Sequence, residues 1–190
     1  MAGSEILEFK TQKDWQKWLD RNHSQQEGVW LKFAKKNTGV KTVSYTEALE
    51  EALCFGWIDS QVQKFDEVYY LQKFSPRRAK SVWSKINRDK IERLIAEGKM
   101  RPAGLAQVEA AKADGRWDAA YDAQSTAEIP DDFKKALGKN KKAAQFYETL
   151  TKANKYAIIW RLHHSKRPET RERNIKKFID MLESDQKFHP

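Results

Sequence analysis

The run from Phe74 to Asn87 holds the residues best suited to grip a ligand. Arg77 and Arg78 carry guanidinium forks that match carboxylate or phosphate oxygens. Ser81 and Ser84 add hydroxyl donors, and Trp83 supplies a flat apolar wall or a stacking face. Asn87 is expected to cap a helix whose first N–H groups are unpaired and carry partial positive charge, a natural place for an anion. Just upstream, Gly56-Trp57-Ile58-Asp59-Ser60 reads as a tight junction between a helix and a strand. Asp59 at that junction would orient Arg77 or Arg78, face the same pocket, or serve as a turn residue or ion-pair partner. Trp57 and Trp83 are expected to lie near each other and frame the cleft. Trp57, Asp59, Arg77, Arg78, Ser81, Trp83, Ser84 and Asn87 are therefore the candidate anion-binding set. The competing reading is structural: Pro76 turns the chain, the arginines pair with acids of the first 70 residues, and Trp83 belongs to the core.

Other chemistries find less support. Cys54 sits between Leu53 and Phe55 among apolar neighbours, with no histidine nearby to act as a base, and reads as a buried, inert thiol. His163 and His164 are adjacent, diverge by about 100° on a helix and chelate one metal poorly. No phosphate-binding loop, dinucleotide fingerprint, zinc-protease helix or nucleophile elbow is present, so no metal, no cofactor and no catalytic set is expected. Arg161, Lys166, Arg167, Arg171, Arg173, Lys176 and Lys177 cluster near Trp160, but Glu169 and Glu172 interrupt them and no stacking platform is evident. Nucleic-acid binding by the C-terminal helices is expected to be weak at best.

The elements that must position these residues follow from spacing. Ile6–Phe9 and Val29–Lys35 read as strands, the second alternating Val29, Leu31 and Phe33 with Trp30, Lys32 and Ala34. Thr11 suits a helix N-cap, with Trp15, Trp18 and Leu19 on one face. Ser44-Tyr45-Thr46-Glu47 has the form of a capping box, opening a helix that should end near Trp57. Ile58–Phe65 and Val68–Phe74 form a hairpin around Asp66-Glu67. Beyond Pro76 the chain reads as helical: a helix with an apolar face of Ile91, Leu94 and Ile95, a second from Pro102 towards Gly115, then Asp131–Leu137, Lys141–Leu150, Lys152–His164 and Pro168–Leu182. Ala123–Pro130 is the linker candidate. Strands followed by helices predict an α+β fold. A small antiparallel sheet covered by helices would occupy residues 1–125, and a helical subdomain, residues 131–185, would pack on it.

Length and composition agree with this. At 190 residues and 39% hydrophobic content, the chain can bury a real core in one domain or one domain with an appendage. No stretch is long and apolar enough for membrane insertion as a helix. Met1-Ala2-Gly3-Ser4-Glu5 lacks the basic start and apolar stretch of a secretion signal, which leads to the expectation of a cytoplasmic location. The single cysteine excludes an internal disulfide. The net charge of +9 is uneven: residues 1–70 carry −2, residues 71–129 carry +4 and residues 130–190 carry +7. Such a field attracts anions, or merely keeps a lysine-rich surface solvated.

Several motifs in order, Ala52 to Ser60, Phe74 to Arg78, Ser81 to Ser84 with Asn87, and Gly115 to Tyr121, resemble the bacterial YdeI/OmpD-associated, bacteriocin-protection family. Phe133 to Leu137, Ala143 to Tyr147 and Lys166 to Arg171 are similar to the family's C-terminal helical region, so the resemblance runs over nearly the whole chain. It implies a role in resistance to bacteriocins or antimicrobial peptides and a partnership with a porin or another protein; it supplies no catalytic residues. Combined with the arginine segment, it leads to the expectation of a protein that binds a small anionic ligand or an acidic partner. The alternatives are an enzyme acting on a phosphorylated or carboxylated metabolite in the same pocket, and a weak nucleic-acid binder.

Overall fold

The computed structural model describes residues 5–123 and 126–189. Met1 to Ser4 of the expected leaderless start, and two residues of the Ala123–Pro130 segment, lie outside the described residues. The chain divides into two compact units, residues 1–120 and 121–190.

The first unit runs β1 (Ile6–Leu7), α1 (Gln12–Asn22), β2 (Val29–Ala34), α2 (Tyr45–Cys54), β3 (Trp57–Lys64), β4 (Tyr69–Pro76), α3 (Lys85–Ala96) and α4 (Pro102–Ala113). The strands form one sheet in the order β1-β2-β4-β3. β4 runs antiparallel to both neighbours, while β1 joins β2 in parallel, because α1 carries the chain back between them. The sheet is thus mixed, with an antiparallel majority.

Strand alternation divides its faces. Val29, Leu31 and Phe33 are buried and lie opposite Phe74, Gln72 and Tyr70. This face meets Trp15 and Leu19 of α1 and Ala48, Leu49, Ala52 and Leu53 of α2 in one core. Trp15 also donates its indole N–H to the Ala48 carbonyl at 3.0 Å, so the apolar contact is keyed by a hydrogen bond. Both helices begin where their local signals place them. Thr11 accepts from the Asp14 N–H, and Ser44 and Glu47 form the reciprocal capping box.

α3 begins earlier than its sequence suggests. Its N-cap is Ser84, whose hydroxyl accepts from the Asn87 N–H at 3.2 Å, and Asn87 lies inside the first turn. Ile91 and Leu94 are buried, but Ile95 is 40% exposed and leaves the apolar stripe. α4 crosses α2 at very close range. A methyl group on Gly104 would come within 2.2 Å of the Cys54 carbonyl oxygen, so only glycine permits the approach.

The second unit holds α5 (Asp131–Gly138), α6 (Lys141–Thr149), α7 (Lys152–His163) and α8 (Pro168–Glu183). Phe133, Leu137, Tyr147, Ile158, Leu162, Phe178 and Leu182 make its own core. In α6 the buried aromatic is Tyr147, with Phe146 at the margin. Asn140 and Thr151 cap α6 and α7. Arg171 of α8 holds the Asp132 carboxylate and donates to the Leu162 carbonyl, tying three helices together. Asn154, 1% exposed, exchanges two hydrogen bonds with the His189 backbone and fixes the C-terminal tail. Among the described residues, no helix is long and apolar enough to cross a membrane.

Two outcomes follow from this packing. Gly104→Ala forces α4 away from backbone atoms that cannot yield, and should lower stability by roughly 1–3 kcal/mol in urea unfolding. The second concerns acid. The Arg171 hydrogen bonds hold the Asp132 carboxyl below its ordinary value of 3.8. A depressed carboxyl stabilises the folded state above that value and loses this contribution as the pH falls through the folded one. Asp132→Asn should therefore flatten the acid limb of the stability curve below 3.8 while lowering stability near neutrality.

Candidate functional site

The sheet face opposite the core carries the other members of each strand. Ile58 lies opposite Ser75, and Trp30 opposite Lys73. Here β3 and β4 fall out of step. Asp59 pairs with Phe74 and Val62 with Gln72, so Ser60 and Gln61 together face the single residue Lys73. In a regular strand these two side chains would point to opposite faces. The bulge turns both into one cleft, a common use of bulges beside binding sites.

That cleft has a volume of about 910 Å³. It is lined by Ile58, Ser60 and Gln61 of β3, Lys73, Ser75 and Pro76 of β4, Gln26 to Gly28 before β2, and Arg77 to Ala79 with Ser81 after β4. Gly28 is required for this closeness: a methyl group there would lie 2.5 Å from the Phe74 carbonyl oxygen and 2.7 Å from Ser75 Cβ. Lys73, Arg77 and Arg78 supply three positive charges to the lining, and among the described residues lining it Glu27 is the one acid.

The two arginines do different work. Arg77 is 7% exposed. Its backbone N–H donates to the Gly56 carbonyl at 3.0 Å, its Nη2 donates to the Val82 carbonyl at 2.8 Å, and its guanidinium lies 3.6 Å above the Trp83 ring. Trp83, 1% exposed, meets Trp117 edge to face at 5.1 Å. Arg116 completes the brace by donating to the Ser81 carbonyl at 2.9 Å while its Nε holds Asp114. The loop between β4 and α3 is thereby fastened, and Arg78 is exposed at its surface.

Of the candidate set, Arg77, Arg78 and Ser81 line the cleft. Ser84 caps α3 by accepting from the Asn87 backbone N–H, and neither residue is among those that line the cleft. Asp59 stands on the core side of β3, the parity opposite Ile58, and accepts from the Tyr45 hydroxyl at 2.8 Å. Burial and this carboxylate together push the Tyr45 phenol well above its ordinary value. Trp83 and Trp57 are core residues. Trp57 meets Trp15 and Trp18 edge to face and donates to the His23 carbonyl at 2.8 Å. It borders a smaller recess of about 300 Å³ with Phe55, Gly56 and Gln107. Lys73, Ser75, Ser60, Gln61 and Gln26 were absent from the expected set. A lysine alternating with serine on a strand was a readable signal for the first two, but the bulge that recruits Gln61 was not.

Cys54 is buried, and burial with the nearby Glu51 charge pushes its thiol up to about 12, far from a reactive thiolate. Among the described residues, no cluster of three or more histidine, cysteine or carboxylate groups is placed to hold a metal.

Residues 7–107 match the model of a family described as a domain of unknown function, DUF8412. Residues 126–185 match the model of the family described as Bacteriocin-protection, YdeI or OmpD-Associated. The first match lies within the first unit and the second within the second. The resemblance drawn over nearly the whole chain is therefore matched by that model in the C-terminal third. No curated protein and no solved structure matches the chain.

Neighbouring arginines should respond differently to truncation. Arg77→Ala uncovers Trp83 and leaves the Val82 carbonyl without its donor, at a cost of roughly 1–3 kcal/mol. Arg78→Ala should change stability by less than about 0.5 kcal/mol. Urea unfolding of both variants measures the difference.

Proposed function

Given that the chain belongs to the DUF8412 family over residues 7–107 and carries a domain of the bacteriocin-protection, YdeI/OmpD-associated family at residues 126–185, we propose that its first unit is an anion-binding module. The observation that carries this reading is the cleft beside the β3 bulge. Lys73 and Arg78 stand there with the hydroxyls of Ser60, Ser75 and Ser81 and the amides of Gln26 and Gln61. Cations among neutral hydrogen-bond donors suit a phosphate or a carboxylate. The ligand is a small anionic molecule or an acidic side chain of a partner protein. For a bacteriocin-protection protein, an acidic surface on a porin or other envelope protein is such a partner.

The test is a titration of the whole protein with inorganic phosphate and with citrate, followed by amide chemical shifts at about 150 mM salt. Saturable shifts should gather at Gly28, Ser60, Gln61, Ser75 and Ser81. Lys73→Glu combined with Arg78→Glu should weaken binding on the order of tenfold or more, since two charge-assisted contacts are lost. The absence of saturable shifts with either anion, or binding that survives the double reversal, rejects the reading.

A further inference from the structure

The basic C-terminal segment takes no part in that cleft, and it surrounds an aromatic feature of its own. Trp160 on α7 remains 36% exposed. It stacks on His164 with ring centroids 4.0 Å apart and planes 30° from parallel. His164 Nδ1 lies 2.8 Å from the Trp160 carbonyl oxygen. A carbonyl only accepts, so Nδ1 carries the proton and the imidazole is held against the indole. Towards the start of α7, Ala153 and Ala157 are small, and with Tyr156 they leave an apolar recess of about 360 Å³ beside Trp160. Arg161 stands at its edge, its Nη1 bonded to the Ala157 carbonyl and its guanidinium 4.0 Å over Phe188. A second recess of about 390 Å³ shares Trp160 and Arg161 and adds His164, Thr170, Asn174 and Lys177.

We propose that the Trp160–His164 stack and its two recesses form a nucleotide site, in which a base lies against Trp160 and its phosphate is held by Arg161 and Lys177. A flat recess along an exposed indole accepts a planar ring, and stacking is tolerant of which base is offered. The cations beside it match a phosphate, and the unit as a whole is positive, with 15 Lys and Arg against 10 Asp and Glu over residues 121–190. The weak binding expected from the sequence rested on the interrupting acids Glu169 and Glu172 and on the absence of a stacking platform; the exposed face of Trp160 bears on the second of these. Glu169 and Glu172 still interrupt the basic face, which disfavours tracking along a duplex backbone. A free nucleotide, or one nucleotide of a single strand, needs only the recess and its neighbouring cations.

The test measures binding of AMP by calorimetry and of a fluorescent oligo(A) decamer by anisotropy, with a duplex of equal length for comparison, at about 150 mM salt. Trp160→Ala should weaken the bound probe on the order of tenfold or more, while Trp160→Tyr, which keeps a ring, should remain within a few fold. Lys177→Glu changes an exposed residue of α8 and should also weaken binding several fold. Binding of AMP with this pattern marks a free nucleotide as the ligand; binding of the decamer alone marks a single strand; either supports the proposal. Failure of both probes to bind, preference for the duplex, or insensitivity to Trp160→Ala and Lys177→Glu overturns it. Loss of affinity in the Lys73→Glu/Arg78→Glu protein instead would place the ligand in the cleft of the first unit and also overturn it.

Discussion

The register between β2 and β4 is the constraint from which the first unit follows. With Val29 opposite Phe74 and Leu31 opposite Gln72, Val29, Leu31 and Phe33 of β2 and Phe74 of β4 share one core with the helices α1 and α2. A slip of one residue would turn Phe74 outwards and bring Lys73 and Ser75 into the core. The apolar residues forbid that slip, and so they also decide which polar residues remain for the opposite face. The lining of the cleft is thus a consequence of core packing on the far side of the sheet. The bulge in β3 adds to it: pairing with β4 is in step at Asp59, out of step across Ser60 and Gln61, and in step again from Val62.

Arg77 shows how a charged residue can be held at the edge of a core. A buried guanidinium is costly unless its donors and its flat face are occupied. Here a backbone carbonyl takes one donor and an indole takes the face. The indole is itself fixed by Trp117, and Arg116 closes the loop above through the Ser81 carbonyl. The Gly115-Arg116-Trp117 motif, far along the chain from Arg77, therefore supports the same loop. This is why two adjacent arginines divide into one that holds the loop and one that the loop presents. A rigid loop would also reduce the ordering cost of the proposed anion contact at Arg78.

What was legible in the sequence was local. The capping box at Ser44, the cap at Thr11, the alternation of Val29 to Ala34 and the bounds of the four C-terminal helices all depend on residues within a turn or two of one another. The α+β class followed from these. The cap of α3 was misplaced because Ser84 and Asn87 are both good caps three residues apart, and only the backbone reveals which N–H groups are unpaired. Which side of β3 Asp59 takes is not legible in the sequence, because a side chain's face depends on strand register, which is set by a partner strand and altered by a bulge that no motif announces. β1 could be read as a strand, but its parallel pairing depends on where α1 returns the chain.

The aromatic residues of α7 illustrate the same limit in the other direction. Tyr156, Ile159 and Trp160 share a helical spacing that reads as one buried stripe, yet the core of the second unit is reached by Ile158 and Leu162. The stripe and the buried face are offset around the helix, and Trp160 falls on the exposed margin. An indole left there loses the stabilisation of full burial, and a helix carrying a large flat ring beside two alanines presents a shaped apolar surface to solvent. The pairing of Trp160 with His164, four residues on, follows from helix geometry alone. The neighbouring cations come from two sources: Arg161 from the same helix, and Lys177 from α8, which is brought alongside by the burial of Phe178. A feature built from one helix's margin and its neighbour's polar face has no signature in either segment taken alone, and arises only when both helices are packed.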